Sequence, residues 1–91
     1  MPDILRKHII FHGAVQGVGF RYRAEHAARR VGATGWVRNE WDGTVRMEIQ
    51  GTEAQIDQVI LLIERGTFVR IERMDVQRLE PVEGERDFIV R

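Results

Sequence analysis

Twice along this chain an apolar pattern of period two gives way to one of helical period, and twice it returns. In the stretch 5–11, Ile9 and Phe11 fall on one face and His8, Ile10 and His12 on the other, the alternation of a strand. Phe20, Ala24, Ala27, Ala28 and Val31 then recur at helical spacing, with Arg23, Glu25, His26, Arg29 and Arg30 largely off the stripe. Gly32 stands where a left-handed cap ends a helix. A second strand is expected over 34–39, followed by an Asp42-Gly43 hairpin signal and a third strand over 44–50 with Val45, Met47 and Ile49 facing inward. Thr52 with Gln55 three residues on makes a capping box. It opens a helix whose Ile56, Val59, Ile60 and Ile63 share a face and which Gly66 stops. Ile71, Met74 and Val76 mark a fourth strand with a phase slip between Ile71 and Met74, which implies a bulge. A polar loop over 80–85 and a short edge strand over 88–90 complete the pattern.

The order β-α-β-β-α-β plus a terminal strand restricts the fold severely. An α+β ferredoxin-like sandwich, an antiparallel sheet with two helices on one face, satisfies it. At 91 residues, without an internal repeat or linker, the chain is expected to form a single domain, 1–91. The 14 basic and 14 acidic residues cancel, so no gross field draws in nucleic acid or an anionic membrane, and any anion site must be local. Without cysteine there is no disulfide framework and no thiolate metal site. No apolar run approaches the roughly 18 residues of a membrane span. The first residues lack the form of a signal peptide. A cytoplasmic protein, monomeric by default, is the expectation.

Between the first strand and the first helix lies the densest stretch, 13–21, with three glycines in its first seven residues. Glycine reaches positive φ without steric cost. A turn of that kind points successive N–H groups into one concavity, and the helix beyond adds the positive end of its dipole. Arg21 places a forked, permanently charged guanidinium at the same spot. Donors, dipole and guanidinium together suit an oxyanion, most naturally phosphate; an ordinary strand-to-helix turn with a solvated arginine is the plainer alternative. The spacing is neither a Walker A loop nor a full dinucleotide fingerprint. The second dense stretch runs from Gly35 to Val45. There Asn39 ends a strand just before a tight hairpin, either as a turn residue bonding its own backbone or as a rigidly held amide, which offers donors and an acceptor but takes no proton.

Together, Gly13-x-Val15-Gln16-Gly17-Val18-x-Phe20-Arg21 and Gly35-Trp36-Val37-Arg38-Asn39-x-x-x-Gly43-x-Val45, with Gly51 beyond, resemble the two signature motifs of the acylphosphatase family. Phe11 departs conservatively, in a position where the family usually carries an aliphatic residue. The resemblance implies hydrolysis of the carboxyl–phosphate bond of small acyl phosphates, without metal or cofactor. It places a phosphate cradle on the backbone of Val15, Gln16, Gly17, Val18, Gly19 and Phe20, with Arg21 and Asn39 as the essential side chains. Inorganic phosphate or sulfate is then a product-like ligand. A similar domain opens larger carbamoyl-transfer proteins that continue into cysteine-rich zinc modules; a chain without cysteine is expected to be the free-standing enzyme.

Other residues carry less. Arg23 and Arg38 either extend the positive site or are solvated. Asp42 reads as a turn residue, Trp36 and Trp41 as packing or rim residues, and His26 as a surface residue. His8 and His12 would stand about 13 Å apart along a strand, too far to share a metal. A non-catalytic phosphate-binding module is the chief rival. Single-stranded nucleic-acid binding is opposed by the neutral charge and by the absence of an aromatic-rich strand.

Overall fold

The computed structural model describes residues 3–91. Along them run β1 (Leu5–Ala14), α1 (Phe20–Val31), β2 (Thr34–Asn39), β3 (Val45–Gly51), α2 (Glu53–Glu64), β4 (Arg70–Leu79) and β5 (Phe88–Val90). The strands form one sheet in the order β4-β1-β3-β2-β5. All neighbours pair antiparallel except β5, which pairs parallel with β2. The sheet is therefore mixed at one edge rather than antiparallel throughout. The segment 80–87 carries the chain from the β4 edge to the β2 edge, so that β5 starts beside the start of β2. β1, β2 and β5 consequently run the same way, and their C-terminal ends meet at one end of the sheet.

The core follows from the two periodicities. Ile9, Phe11, Val37, Val45, Met47, Ile49 and Phe88 project from the sheet and are fully buried beneath the helices. Burying each such side chain is worth about 1.5–3 kcal/mol. α1 contributes Phe20 and the small residues Ala24, Ala27 and Ala28; α2 contributes Ile56, Val59 and Ile63. The capping box forms as the sequence implies: Gln55 N donates to Thr52 Oγ1 (3.1 Å) and Thr52 N to Gln55 Oε1 (2.8 Å). Gln55 Nε2 also donates to Val31 O at 2.8 Å, which fastens the start of α2 to the end of α1 and leaves the helices antiparallel.

Two features depart from, or add to, the expectations above. The bulge in β4 is present, since His12 pairs with Arg73 while Gly13 pairs with Ile71, leaving Glu72 over. Met74 and Val76, however, are exposed. They pair with Phe11 and Ile9 and share the helix-side face, but the helices pack over β2, β3 and β5 and stop short of this edge. On the opposite face Arg6 is buried, an unexpected place for a charge. Its guanidinium meets Glu48 at 2.8 Å, Gln50 at 3.0 Å and both carboxylate oxygens of Glu85 at 2.8 and 3.2 Å. Glu85 lies in the crossing segment, so this cluster pins the segment to the sheet.

Candidate active site

The segment after β1 is anchored at both ends by side chains driven into the core, Val15 and Phe20, each about 1% exposed. Phe20 meets Phe11 edge to face with ring centroids 4.8 Å apart. Between these anchors Gly17 and Gly19 take φ of 71° and 82°. A Cβ at either would meet nothing within 4 Å, so it is the left-handed backbone and not crowding that calls for glycine there. Gly19 is the N-cap of α1 and offers no side chain to the first N–H groups; the first turn holds no acidic residue. The open donors and the positive dipole end of α1 are thus left uncapped, whereas α2 has a complete box. Arg21 is exposed in this first turn, and among the described residues it forms no ion pair.

Asn39 arrives from β2 at the same end of the sheet. It is partly buried, and its Oδ1 is enclosed with no hydrogen-bond donor from the protein. A buried acceptor left unpaired costs about 1–3 kcal/mol. The hairpin beyond it is fixed by Asp42, whose carboxylate accepts from Thr44 Oγ1 (2.7 Å) and Thr44 N (3.1 Å); these bonds hold the Asp42 carboxyl below its ordinary pKa. Asp42 is therefore the turn residue its sequence position suggests. The hairpin is tied to the glycine segment by Gln16, whose side-chain Nε2 donates to Glu40 O at 2.7 Å and Thr44 O at 2.9 Å. This cross-link has no signal in the sequence, because the two partners lie far along the chain in another hairpin.

A cavity of about 360 Å³ opens where these parts meet, lined by Val15, Gly17, Gly19, Phe20, Arg21 and Asn39. Arg21 and Asn39, the two side chains singled out by the motifs, are thus brought together with the glycine segment. Tyr22, Glu25 and Val90, which the motifs do not name, also line it. Glu25 stands four residues after Arg21 and so was findable from helical spacing; Val90 depended on the parallel pairing of β5. Glu25 leans to Arg29, at 3.5 Å. Neither Arg23 nor Arg38 lines the cavity. Arg38 pairs with Glu40 at 3.0 Å and lies with Arg91 over the Trp36 ring, at 5.4 and 4.7 Å from its centroid. Trp41 stands almost fully exposed at the hairpin tip. His12 is engaged by Asp75 at 2.8 Å. Among the described residues no group of three or more His, Cys, Asp or Glu is placed to hold a metal ion, and no helix is long and apolar enough to cross a membrane.

Comparison with known proteins gives this geometry a context. Residues 7–90 match the acylphosphatase family model. The acylphosphatase of Geobacillus kaustophilus (strain HTA426) is 44% identical over 84 residues, covering 91% of this chain and 89% of the relative. The crystal structure of acylphosphatase from Bacillus subtilis superposes with a TM-score of 0.85 at 32% identity, covering 96% of this chain and 98% of that one. Full-length HypF, solved in a phosphate- and nucleotide-bound form, contains a similar unit: TM-score 0.85 at 30% identity, over 100% of this chain but 12% of that one. The chain belongs to the acylphosphatase family, enzymes that hydrolyse acyl phosphates.

Proposed function

We propose that this chain hydrolyses small acyl phosphates by in-line attack of a water held by Asn39 on a phosphoryl group held by Arg21 and the backbone of residues 15–20. An acyl phosphate is already activated, because its leaving group is a weakly basic carboxylate. Phosphoryl transfer through a loose transition state then asks chiefly for positioning and for charge stabilisation at the equatorial oxygens. The N–H groups of the glycine segment, the open end of α1 and the Arg21 fork are suited to those oxygens. The Asn39 side-chain amide hydrogen-bonds the water and aims it. As the water oxygen bonds to phosphorus, the phosphorus–carboxylate bond breaks, the carboxylate leaves with its electron pair, and the water's proton passes to a phosphate oxygen or to solvent.

The observation that carries this reading is the convergence on one cavity of Arg21, the glycine segment and Asn39. The test separates Arg21 from Asn39. Arg21→Ala should weaken phosphate binding and turnover alike, and Arg21→Lys should rescue poorly, because a point charge does not reproduce the planar fork. Asn39→Ala should leave phosphate affinity nearly unchanged while lowering kcat and kcat/KM together, by roughly two to three powers of ten if it resembles one oxyanion-hole donor. The readouts are steady-state hydrolysis of acetyl phosphate and phosphate titration calorimetry, with circular dichroism to confirm folding. Near wild-type turnover in Asn39→Ala would refute the mechanism.

A further inference from the structure

A second cavity, of about 280 Å³, lies between the helices, away from the glycine segment. Arg23, His26 and Arg30 line it from α1 and Arg65 from the end of α2, and no carboxylate does. Five of the 13 arginines, Arg6, Arg29, Arg38, Arg46 and Arg73, each sit within 4.0 Å of an acidic side chain. Among the described residues Arg23, Arg30 and Arg65 form no such pair. In a chain of balanced charge, three unpaired guanidiniums have been gathered into one cleft.

Helix electrostatics account for two of them. Arg30 and Arg65 lie at the C-terminal ends of α1 and α2, where a cation is favoured. Arg23 lies near the N-terminal end of α1, where a cation is disfavoured, so another arrangement must hold it there. Gly66 provides it. Its φ is not left-handed, so the turn itself does not require glycine. A Cβ there would come within 2.6 Å of Arg23 Nε, 2.9 Å of Arg23 Cδ and 2.8 Å of Val69 Cγ2. The absent side chain leaves a berth in which Arg23 rests against the end of α2. Tyr22 and His26, with ring centroids 4.1 Å apart, form an aromatic wall, and Tyr22 is shared with the active-site cavity.

We propose that this cleft is a second anion site, taking a compact phosphorylated molecule with two or more charged groups, of which a diphosphate is the simplest. Guanidinium forks match phosphate oxygens, and three of them around one space call for more charge than a single phosphate oxygen pair supplies. The volume is just below the roughly 300–1,000 Å³ usual for ligand pockets, which favours a small molecule. The proposal is independent of the hydrolytic mechanism, because none of Arg23, Arg30 and Arg65 lines the active-site cavity.

The experiment is calorimetric titration of inorganic pyrophosphate into Arg21→Ala, in which the glycine-segment site is weakened, at about 0.15 M ionic strength. One saturable site should remain. Adding Arg30→Gln or Arg65→Gln should weaken it about tenfold each, the scale of a lost charge-assisted hydrogen bond. Gly66→Ala, which displaces Arg23 without removing a charge, should weaken it too. In the otherwise unaltered chain, Arg30→Gln and Arg65→Gln should hydrolyse acetyl phosphate as before. Both residues are exposed, so folding is not at stake. Absence of saturable binding to Arg21→Ala, or binding unchanged by Arg30→Gln and Arg65→Gln, would overturn the proposal. So would binding of a single-stranded oligonucleotide where pyrophosphate fails. Lost hydrolysis in the unaltered chain with the pyrophosphate site intact would count against the proposed mechanism and leave this site standing.

Discussion

Gln16 offers the most discriminating perturbation, because its amide joins the two halves of the candidate active site. Replacing it with alanine removes two hydrogen bonds, to Glu40 O and Thr44 O. Neither carbonyl is orphaned, since Thr44 O still accepts from Glu40 N (2.9 Å) and Glu40 O from Gly43 N (3.3 Å). The loss is therefore two net hydrogen bonds without a desolvation penalty, about 2 kcal/mol. For a domain of this size that lowers Tm by about 8–16 °C. With the hairpin released, Asn39 is no longer held against the glycine segment. A misplacement on the order of 1 Å costs about a hundredfold in rate, so kcat should fall about 10- to 100-fold while phosphate affinity changes little. Gln16→Glu separates this from a packing role. Glutamate has the same size but sets carboxylate oxygens against two carbonyl oxygens, so it should be at least as damaging as alanine. The assay is thermal melting beside steady-state hydrolysis of acetyl phosphate. A Gln16→Glu variant milder than Gln16→Ala, or wild-type kcat in either, would refute the clamp.

Other outcomes rest on the same geometry. Phosphate should stabilise the unaltered chain by about 2.7 kcal/mol at a hundredfold excess over its Kd; Gly19→Ala, which forces a Cβ into the left-handed region at about 1–2 kcal/mol, should abolish that gain in a thermal-shift titration. His8 is held below its ordinary pKa of 6.5, first by burial and then by the nearby Arg46 charge. The unfolded chain thus takes up the proton first, stability should fall as pH drops below 6.5, and His8→Gln should flatten that slope in urea melts at stepped pH. A second loss is expected below about 3.8, where Asp42 and Asp75, both depressed by hydrogen bonds from Thr44 and His12, take up protons. Arg6→Met should cost about 3 kcal/mol by denaturant titration, the low end for a broken buried pair, because Glu48 and Glu85 remain partly open to water.

What was legible in the sequence was local. Strand alternation, the Gly32 and Gly66 stops and the Thr52–Gln55 box each involve residues within a few positions of one another, and each appears where the pattern puts it. The motifs named Arg21 and Asn39, and the parallel course of β1 and β2 brings both to one cavity. What escaped depends on long-range pairing. The parallel register of β5 puts Val90 at the site, and no local pattern distinguishes it from an antiparallel edge strand. The exposure of Met74 and Val76 depends on how far the helices reach across the sheet. The burial of Arg6 depends on Glu85, which arrives from the far side of the chain.

The two helices make the case for where function lies. Both are twelve residues long, and each packs an apolar face on the same side of one sheet. α2 closes its first donors with Thr52 and Gln55, an arrangement worth a few tenths of a kcal/mol over a glycine cap. α1 forgoes that gain at Gly19 and places an arginine where a carboxylate would be favoured. Asn39 forgoes a hydrogen bond at a buried oxygen. Each of these is a local loss that the same chain shows it can avoid elsewhere in the fold. All three fall around one cavity, whose two sides Gln16 then fastens together. In the proposed mechanism a phosphoryl group with an attacking water would offset them together, its oxygens taking the free N–H groups and the guanidinium and the water bonding the Asn39 amide. A merely structural turn would leave each loss standing.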